Sequence, residues 1–312
     1  MPRRARTVIT GGLGNQLFQV ARGLYASKSN SISIDLSLGI PRLNPDGNPE
    51  IFSYSNDSIF AHSSDRKDHL GNKVFNFALR IGINSVKGRY RSVLIPCIEL
   101  LCSVTFFVLR GKLRRFYISR GIGFDYRQIY GNVLPVGYFQ SYRWLEDIDV
   151  LENLRKLSVK KVGNDLQELL RLAPSAKPLI VHCRFGDYKT ESNFGIPDKN
   201  YYENALSYMF ANFSFTDIWV FSDEIDLAKE KIPEKYLDRV RWIENVDNSS
   251  AASLDAMRLG HGYVIANSTF SWWGAMLSVN TESPVVAPKK WFKNSPDPVD
   301  LIPDSWIRFD PW

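Results

Sequence analysis

The stretch Ile-Val-His-Cys-Arg-Phe-Gly-Asp-Tyr at residues 180–188 brings an imidazole, a guanidinium and a carboxylate close together. Ile180 and Val181 read as the end of a buried strand and Gly186 as a turn. His182, Arg184 and Asp187 are therefore expected at the strand's carboxyl end, where open α/β sheets keep their ligands. The planar guanidinium of Arg184 fits a phosphate through two parallel hydrogen bonds, although an arginine closing a surface loop beside a core histidine would look the same.

Two more apolar stretches end in polar groups, Phe-Ser-Asp-Glu at 221–224 and Ala-Asn-Ser-Thr-Phe-Ser-Trp-Trp-Gly at 266–274. In the latter, Ser268, Thr269, Phe270 and Ser271 offer hydroxyls and backbone N–H groups where a helix begins, an arrangement that binds anions without a charged side chain. The same residues also make an ordinary N-cap ahead of core tryptophans, Trp272 and Trp273. On the anion reading, Arg184 clamps a phosphate from the other side, and Asp223 can hydrogen-bond a ribose or base. A diphosphate is a leaving group whose departure needs charge stabilisation, and an arginine with a helix N-terminus supplies it without a metal. No cluster of paired acids has metal-ligand character, so neither a metal nor another cofactor is expected.

The elements that must position these groups alternate. Strands expected at 178–183, 217–222, 239–243, 263–267 and 284–287 are separated by helices at about 198–211, 225–231, 250–259 and 269–279, which implies right-handed crossovers and a parallel sheet. The N-terminal half begins likewise, with a strand at 7–10, a turn containing Gly11, Gly12 and Gly14, helical spacing over 17–26 and a strand at 31–35. This pattern lacks the last glycine of a dinucleotide fingerprint; it implies a tight turn that leaves Asn15 and Gln16 at a helix N-terminus with amides able to meet a sugar or phosphate. Residues 41–71, rich in Pro, Asn, Asp and Ser, read as irregular, and 133–145 as a strand with an amide-rich edge followed by a helix. Helical spacing over 151–172 stops at Ala173 and Pro174, which places a domain boundary there. The expectation is α/β, with two Rossmann-like domains, 1–173 and 174–312, facing a central cleft.

A chain of 312 residues, 44% hydrophobic and 23% charged, has ample core and is too apolar to be disordered. Its net charge of +6 and pI near 9.1 invite an anionic partner. Basic residues gather in Arg3, Arg4 and Arg6, in Lys87, Arg89 and Arg91, and in Arg110, Lys112, Arg114 and Arg115. The last two groups bracket residues 93–109, an apolar run broken by Pro96 and carrying Glu99 as its one charge. It is short for a membrane span and reads either as a core helix or as a segment docked on a membrane surface, with a surface favoured over nucleic acid. Cys97, Cys102 and Cys183 show no metal or disulfide spacing, and no apolar signal segment follows the first arginines. A cytoplasmic setting is expected, peripheral to the inner face of a membrane if the segment docks; the sequons at Asn56, Asn212, Asn248 and Asn267 then arise by chance.

Four islands together carry a family resemblance: Gly-Gly-Leu-Gly-Asn-Gln-Leu-Phe-Gln at 11–19, His-Cys-Arg-Phe-Gly-Asp-Tyr at 182–188, Phe-Ser-Asp at 221–223 and Ala-Asn-Ser-Thr-Phe-Ser-Trp-Trp-Gly-Ala at 266–275. With them the chain resembles the α-1,2-fucosyltransferases of glycosyltransferase family 11. The resemblance implies a GT-B fold, GDP-β-L-fucose as donor, and inverting transfer to a 2-hydroxyl, commonly of a galactose, on a glycan or glycolipid. It implies donor binding by the C-terminal domain, with Arg184 on the diphosphate, Ser268, Thr269, Phe270 and Ser271 as the phosphate-facing turn, and His182 and Asp187 shaping the same pocket. Gly12, Asn15 and Gln16 would approach from the other domain. Many members carry a second arginine where this chain has Phe185, and Asp255 and His261 stand for an acid and a histidine that often precede the last motif, at a different spacing. A base or acceptor for the incoming hydroxyl is required, for which Asp187 is the carboxylate in the right loop, with turn stabilisation as its other role. A transferase using another sugar nucleotide, or a silent nucleotide- or glycan-binding module, is the alternative.

Overall fold

The computed structural model describes residues 5–27, 31–36, 38–55, 59–63, 69–84, 91–111, 114–119, 122–124 and 133–312. Arg3, Arg4, Asn56, Lys87, Arg89 and Lys112 lie outside these described residues. The chain divides into two α/β units. The first comprises Met1–Leu43, Pro49–Leu157 and Pro298–Leu301, and the second Asn44–Asn48, Ser158–Asp297 and Ile302–Trp312.

In the first unit, β1 (Ala5–Val8) leads through the glycine turn to α1 (Leu13–Ser27), then β2 (Ile32–Asp35) and β3 (Phe60–Ser63), and the three strands pair in parallel. The chain continues through α2 (His69–Asn84), α3 (Arg91–Arg110), β4 (Arg115–Ile118), β5 (Val133–Val136) and α4 (Ile148–Arg155), with β4 parallel to β5. Phe75 and Leu79 of α2, Ile95 and Phe106 of α3, and Ile118 and Leu134 of the strands form one apolar cluster. The stretch expected to be irregular, 41–71, thus contains a strand and a helix start. β3 is short and gains its strand geometry from backbone pairing with β2 rather than from an apolar pattern.

The glycine turn closes on itself. Gly11 takes a φ of 75°, open to glycine at little cost, and its N–H donates to the Ile40 carbonyl while its own carbonyl accepts from Arg42. At the start of α1 the Leu13 N–H donates to a carboxylate oxygen of Glu50 at 2.7 Å, and Glu50 is only 5% exposed. The positive end of this helix therefore already holds an anion, one from the protein itself.

The second unit begins with α5 (Asn164–Ala176). The helical run expected over 151–172 is in fact two helices, α4 and α5, and Pro174 sits inside the last turn of the second. The division consequently falls after Leu157 rather than at 173. Asp247 holds α5, accepting from the N–H groups of Gly163, Asp165 and Leu166. There follow β6 (Leu179–Cys183), α6 (Lys199–Asn212), β7 (Ile218–Ser222), α7 (Ile225–Lys231), β8 (Val240–Ile243), α8 (Ser250–Met257), β9 (Gly262–Val264), α9 (Thr269–Met276), β10 (Val285–Pro288) and β11 (Ile307–Phe309). All strands are parallel, in the order β11-β10-β9-β6-β7-β8. Continuous apolar strands such as Leu179–Cys183 fit a sheet buried on both faces. Trp272 and Trp273 are fully buried, as core residues. Both units are α/β with parallel pairing, the class expected of a GT-B chain.

Replacing Glu50 by Ala leaves the Leu13 N–H buried without its acceptor, and we expect a loss of about 1–3 kcal/mol in unfolding free energy by urea titration. A change within about 0.5 kcal/mol would contradict the capping role.

Candidate functional site

Strand order fixes where a ligand can sit. From β6 the chain winds one way, to β7 and β8, whereas from β9 it winds the other way, to β10 and β11. The reversal lies between β6 and β9, and the carboxyl ends flanking such a switch point open into a crevice. The β6 end carries His182 and Arg184, the β9 end leads to Asn267 and Ser268, and the β7 end supplies Asp223. Three motifs far apart in sequence thus meet on adjacent strands.

Arg184 is the hub. One guanidinium nitrogen lies 2.5 Å from Asp187 and another 2.9 Å from Asp223. Its Cζ also stands over the Tyr188 ring at 5.7 Å. Burial works against the cation, yet the two carboxylates outweigh it and its pKa is raised. Asp223 does double duty, accepting the Phe185 N–H at 3.0 Å with its second oxygen. Gly186 has a φ of 28°, and a Cβ there would fall 2.7 Å from the same carboxylate, so glycine permits the loop to fold over Asp223. Phe185 is buried in the apolar core.

Across the switch point, Ser268 caps α9 by accepting the Phe270 N–H at 3.3 Å, and Ser271 Oγ donates to the carbonyls of Ala266 and Ser268. Capping and core packing are accordingly realised at this motif, while Thr269 and Phe270 remain partly exposed in the first turn. His182 is 5% exposed and lies 6.2 Å from the Phe270 ring, with no hydrogen-bond partner at Nδ1. Burial, reinforced by the Arg184 charge, lowers its pKa to about 3, so the imidazole is neutral at physiological pH. Burial pushes the neighbouring Cys183 thiol up to about 12, which leaves it unreactive.

Sequence reasoning missed Tyr188 and the side chain of Asn267. Tyr188 donates its hydroxyl to the Asn267 carbonyl at 3.0 Å and stacks on Phe194, bolting the β6 loop to the β9 motif. Asn267 donates to the carbonyls of Gly195 and Trp291, anchoring the turn from beneath. Both lie inside the motifs already singled out, and their residue types give no hint of this bracing.

Other candidates sit elsewhere. Asp255 lies on α8, where it pairs with Arg258 at 3.0 Å and accepts the Val159 N–H, and His261 precedes β9 and contacts Asn280. The His261 N–H donates to the Pro178 carbonyl just before β6, so this residue stands at the amino ends of the strands, the whole length of β9 away from the 266–275 motif. Gly12, Asn15 and Gln16 belong to the first unit. Gln16 is fully buried and spends its amide on the Gly11 and Arg42 carbonyls and the Ile51 N–H, so it holds the turn rather than offering a free amide. Asn15, half-buried, accepts from Gln140 at 2.9 Å. Among the described residues no group of three or more His, Cys, Asp or Glu is placed to hold a metal ion.

The model of the family described as Glycosyl transferase family 11 matches residues 6–298. The chain is 29% identical to the Alpha-1,2-colitosyltransferase of Escherichia coli, over 97% of each sequence. It is 27% identical to the O-antigen biosynthesis glycosyltransferase WbnK of E. coli, over 96% of this chain and 98% of that one. Among solved structures it is similar to the fucosyltransferase NodZ from Bradyrhizobium at a TM-score of 0.46, with 10% identity, over 89% of this chain and 94% of that one.

The neutral His182 has a consequence for stability. Below pH 6.5 the unfolded chain takes up a proton that the folded chain refuses until about pH 3, so this group's share of stability is complete above 6.5 and falls as pH drops towards 3. Urea titrations across this range should show a dependence for the native protein steeper than for His182→Gln by up to about 1.4 kcal/mol per pH unit, one proton's worth. Equal slopes would contradict a buried neutral imidazole.

Proposed function

The chain belongs to glycosyl transferase family 11, and on that premise we propose that it transfers L-fucose from GDP-β-L-fucose to the 2-hydroxyl of a galactoside acceptor, inverting the anomeric centre. The observation that carries this reading is Arg184, held by two carboxylates at the end of β6, whose neighbour β9 leads into the first turn of α9. A guanidinium facing a helix N-terminus is suited to a diphosphate.

The acceptor hydroxyl oxygen attacks the anomeric carbon as the bond from that carbon to the diphosphate oxygen breaks. Negative charge gathers on the departing GDP, and Arg184 with the first-turn N–H groups of α9 stabilises it. The incoming diphosphate competes with Asp187 and Asp223 for the guanidinium. Asp223 stays tied to the Phe185 N–H, whereas Asp187, with a side chain 56% exposed, is the partner released. Freed, it accepts the hydroxyl proton. His182, neutral and buried, shapes the pocket floor beside Phe270. No step needs a metal.

The colitosyltransferase relative favours an α-1,2 linkage and supports a second reading in which the sugar is colitose. GDP release from GDP-fucose, GDP-mannose and the corresponding colitose nucleotide, with a panel of β-galactosides and the product linkage read by NMR, separates the readings. Turnover with GDP-fucose giving a 2-linked product is expected. Turnover with the colitose nucleotide or GDP-mannose alone would overturn the fucose assignment, and binding without turnover would mean a silent module. Arg184→Ala should lower kcat/KM by about a hundredfold or more with the fold intact by circular dichroism, and EDTA should leave the rate unchanged. Near-normal activity in that variant, or an EDTA loss rescued by a divalent ion, would contradict the clamp or its independence of metal.

A further inference from the structure

α3 is apolar on both of its faces. Ile95, Cys102 and Phe106 point into the core of the first unit. On the opposite side Leu94, Cys97, Leu101, Val104 and Val108 recur at alternating steps of three and four, a single helical stripe, and all are exposed. Exposure on this stripe runs from 48% at Val104 to 73% at Val108, with Leu100 at 66% beside it. Large apolar side chains gathered in this way are not the scattered exposure of an ordinary surface.

Charge is arranged to match. Glu99, the one acid in the run, turns inward, where its carboxylate accepts the Ile118 N–H at 2.8 Å. The outer stripe therefore carries no negative charge. Arg91 and Arg110 are the first and last residues of α3, Lys87 and Arg89 precede it and Lys112 follows it in sequence, and Arg115 is exposed at the start of β4. α2 packs against α3 and adds an exposed Phe77 on a face shared with exposed Lys73 and Arg80.

We propose that the outer face of α3 docks on an anionic lipid bilayer, lying flat with Leu101, Val104 and Val108 at the acyl boundary and the basic residues at both ends on the headgroups. Twenty residues make a helix about 30 Å long, enough to cover several lipids. Among the described residues no helix is long and apolar enough to cross a membrane, so α3 rests on the surface. A second copy of the chain is a poorer cover: whether two α3 helices met parallel or antiparallel, basic ends would face basic ends. A layer of anionic headgroups complements both ends at once. The docking is independent of which sugar is transferred, and it would bring the protein to acceptors that are themselves anchored in the bilayer.

The test uses the full-length protein and vesicles of phosphatidylcholine, with and without about one third phosphatidylglycerol. Flotation with the anionic vesicles only is expected, weakening as salt rises from about 0.1 M to about 0.5 M. The combined Leu101→Glu, Val104→Glu and Val108→Glu variant should lower the bound fraction about tenfold or more while its thermal melt and activity on a soluble acceptor stay unchanged. Cys97 is exposed whereas Cys102 and Cys183 are buried, so a polarity-sensitive dye on Cys97 reports the face directly and should shift to the blue on binding. Absence of flotation, binding unaltered by the three glutamates, or a dye that does not shift would overturn the proposal. A concentration-dependent dimer in the ultracentrifuge, dissolved by the same variant, would also overturn it by showing that a second copy covers the face.

Discussion

A guanidinium lodged at a strand tip with only 22% of its side chain exposed must be surrounded by negative charge, and much of the second unit's polar architecture meets that demand at Arg184. Asp223 reaches it from the neighbouring strand, and Asp187 from the loop that Gly186 allows to fold back. Tyr188 places its ring beneath the cation and its hydroxyl on the 266–275 motif. Because the two carboxylates differ in what else they hold, the arrangement is uneven: Asp223 is fixed by a backbone N–H, whereas Asp187 is the more exposed of the pair. The arginine is thereby held charged and oriented at the strand tip.

The sheet supplies the rigidity this arrangement requires. β6 is buried from end to end, and its neighbours β7 and β9 bring Asp223 and the α9 turn to within reach without any loop having to find its place alone. Burial of Phe185 in the core removes the option of a second cation at this position, directly beside Arg184. In the first unit the corresponding helix end is different in kind. Glu50 already occupies the N-terminus of α1, so the glycine turn there is a closed structural joint, whatever its likeness to a phosphate-binding loop.

Much of the second unit was legible in the sequence. Its strands and helices lie close to where apolar runs and polar breaks place them, and the three motifs singled out all lie at carboxyl ends of adjacent strands. Sequence periodicity reports burial, and in a parallel sheet covered on both faces burial and strand coincide. It does not report which end of a strand a residue occupies, which is why His261, close to the third motif in sequence, stands at the opposite end of β9. Nor does it report partners at long range: the carboxylate that closes the α1 turn comes from residue 50, within a stretch that reads as irregular. The division between units was misplaced because two helices, α4 and α5, share one apolar rhythm across the break. For residues 93–109 the sequence left a core helix and a docked segment both open, and the structure shows α3 buried along one face and exposed along the other.

The central claim is that Arg184 exchanges a carboxylate for the donor's diphosphate at the switch point of the second unit's sheet. A crystal structure of the protein with GDP tests it most directly. The account predicts diphosphate oxygens hydrogen-bonded to Arg184 and to the first-turn N–H groups of α9, with Asp187 released and Asp223 still on the Phe185 N–H. GDP bound elsewhere, with Arg184 still paired to both carboxylates, would contradict it.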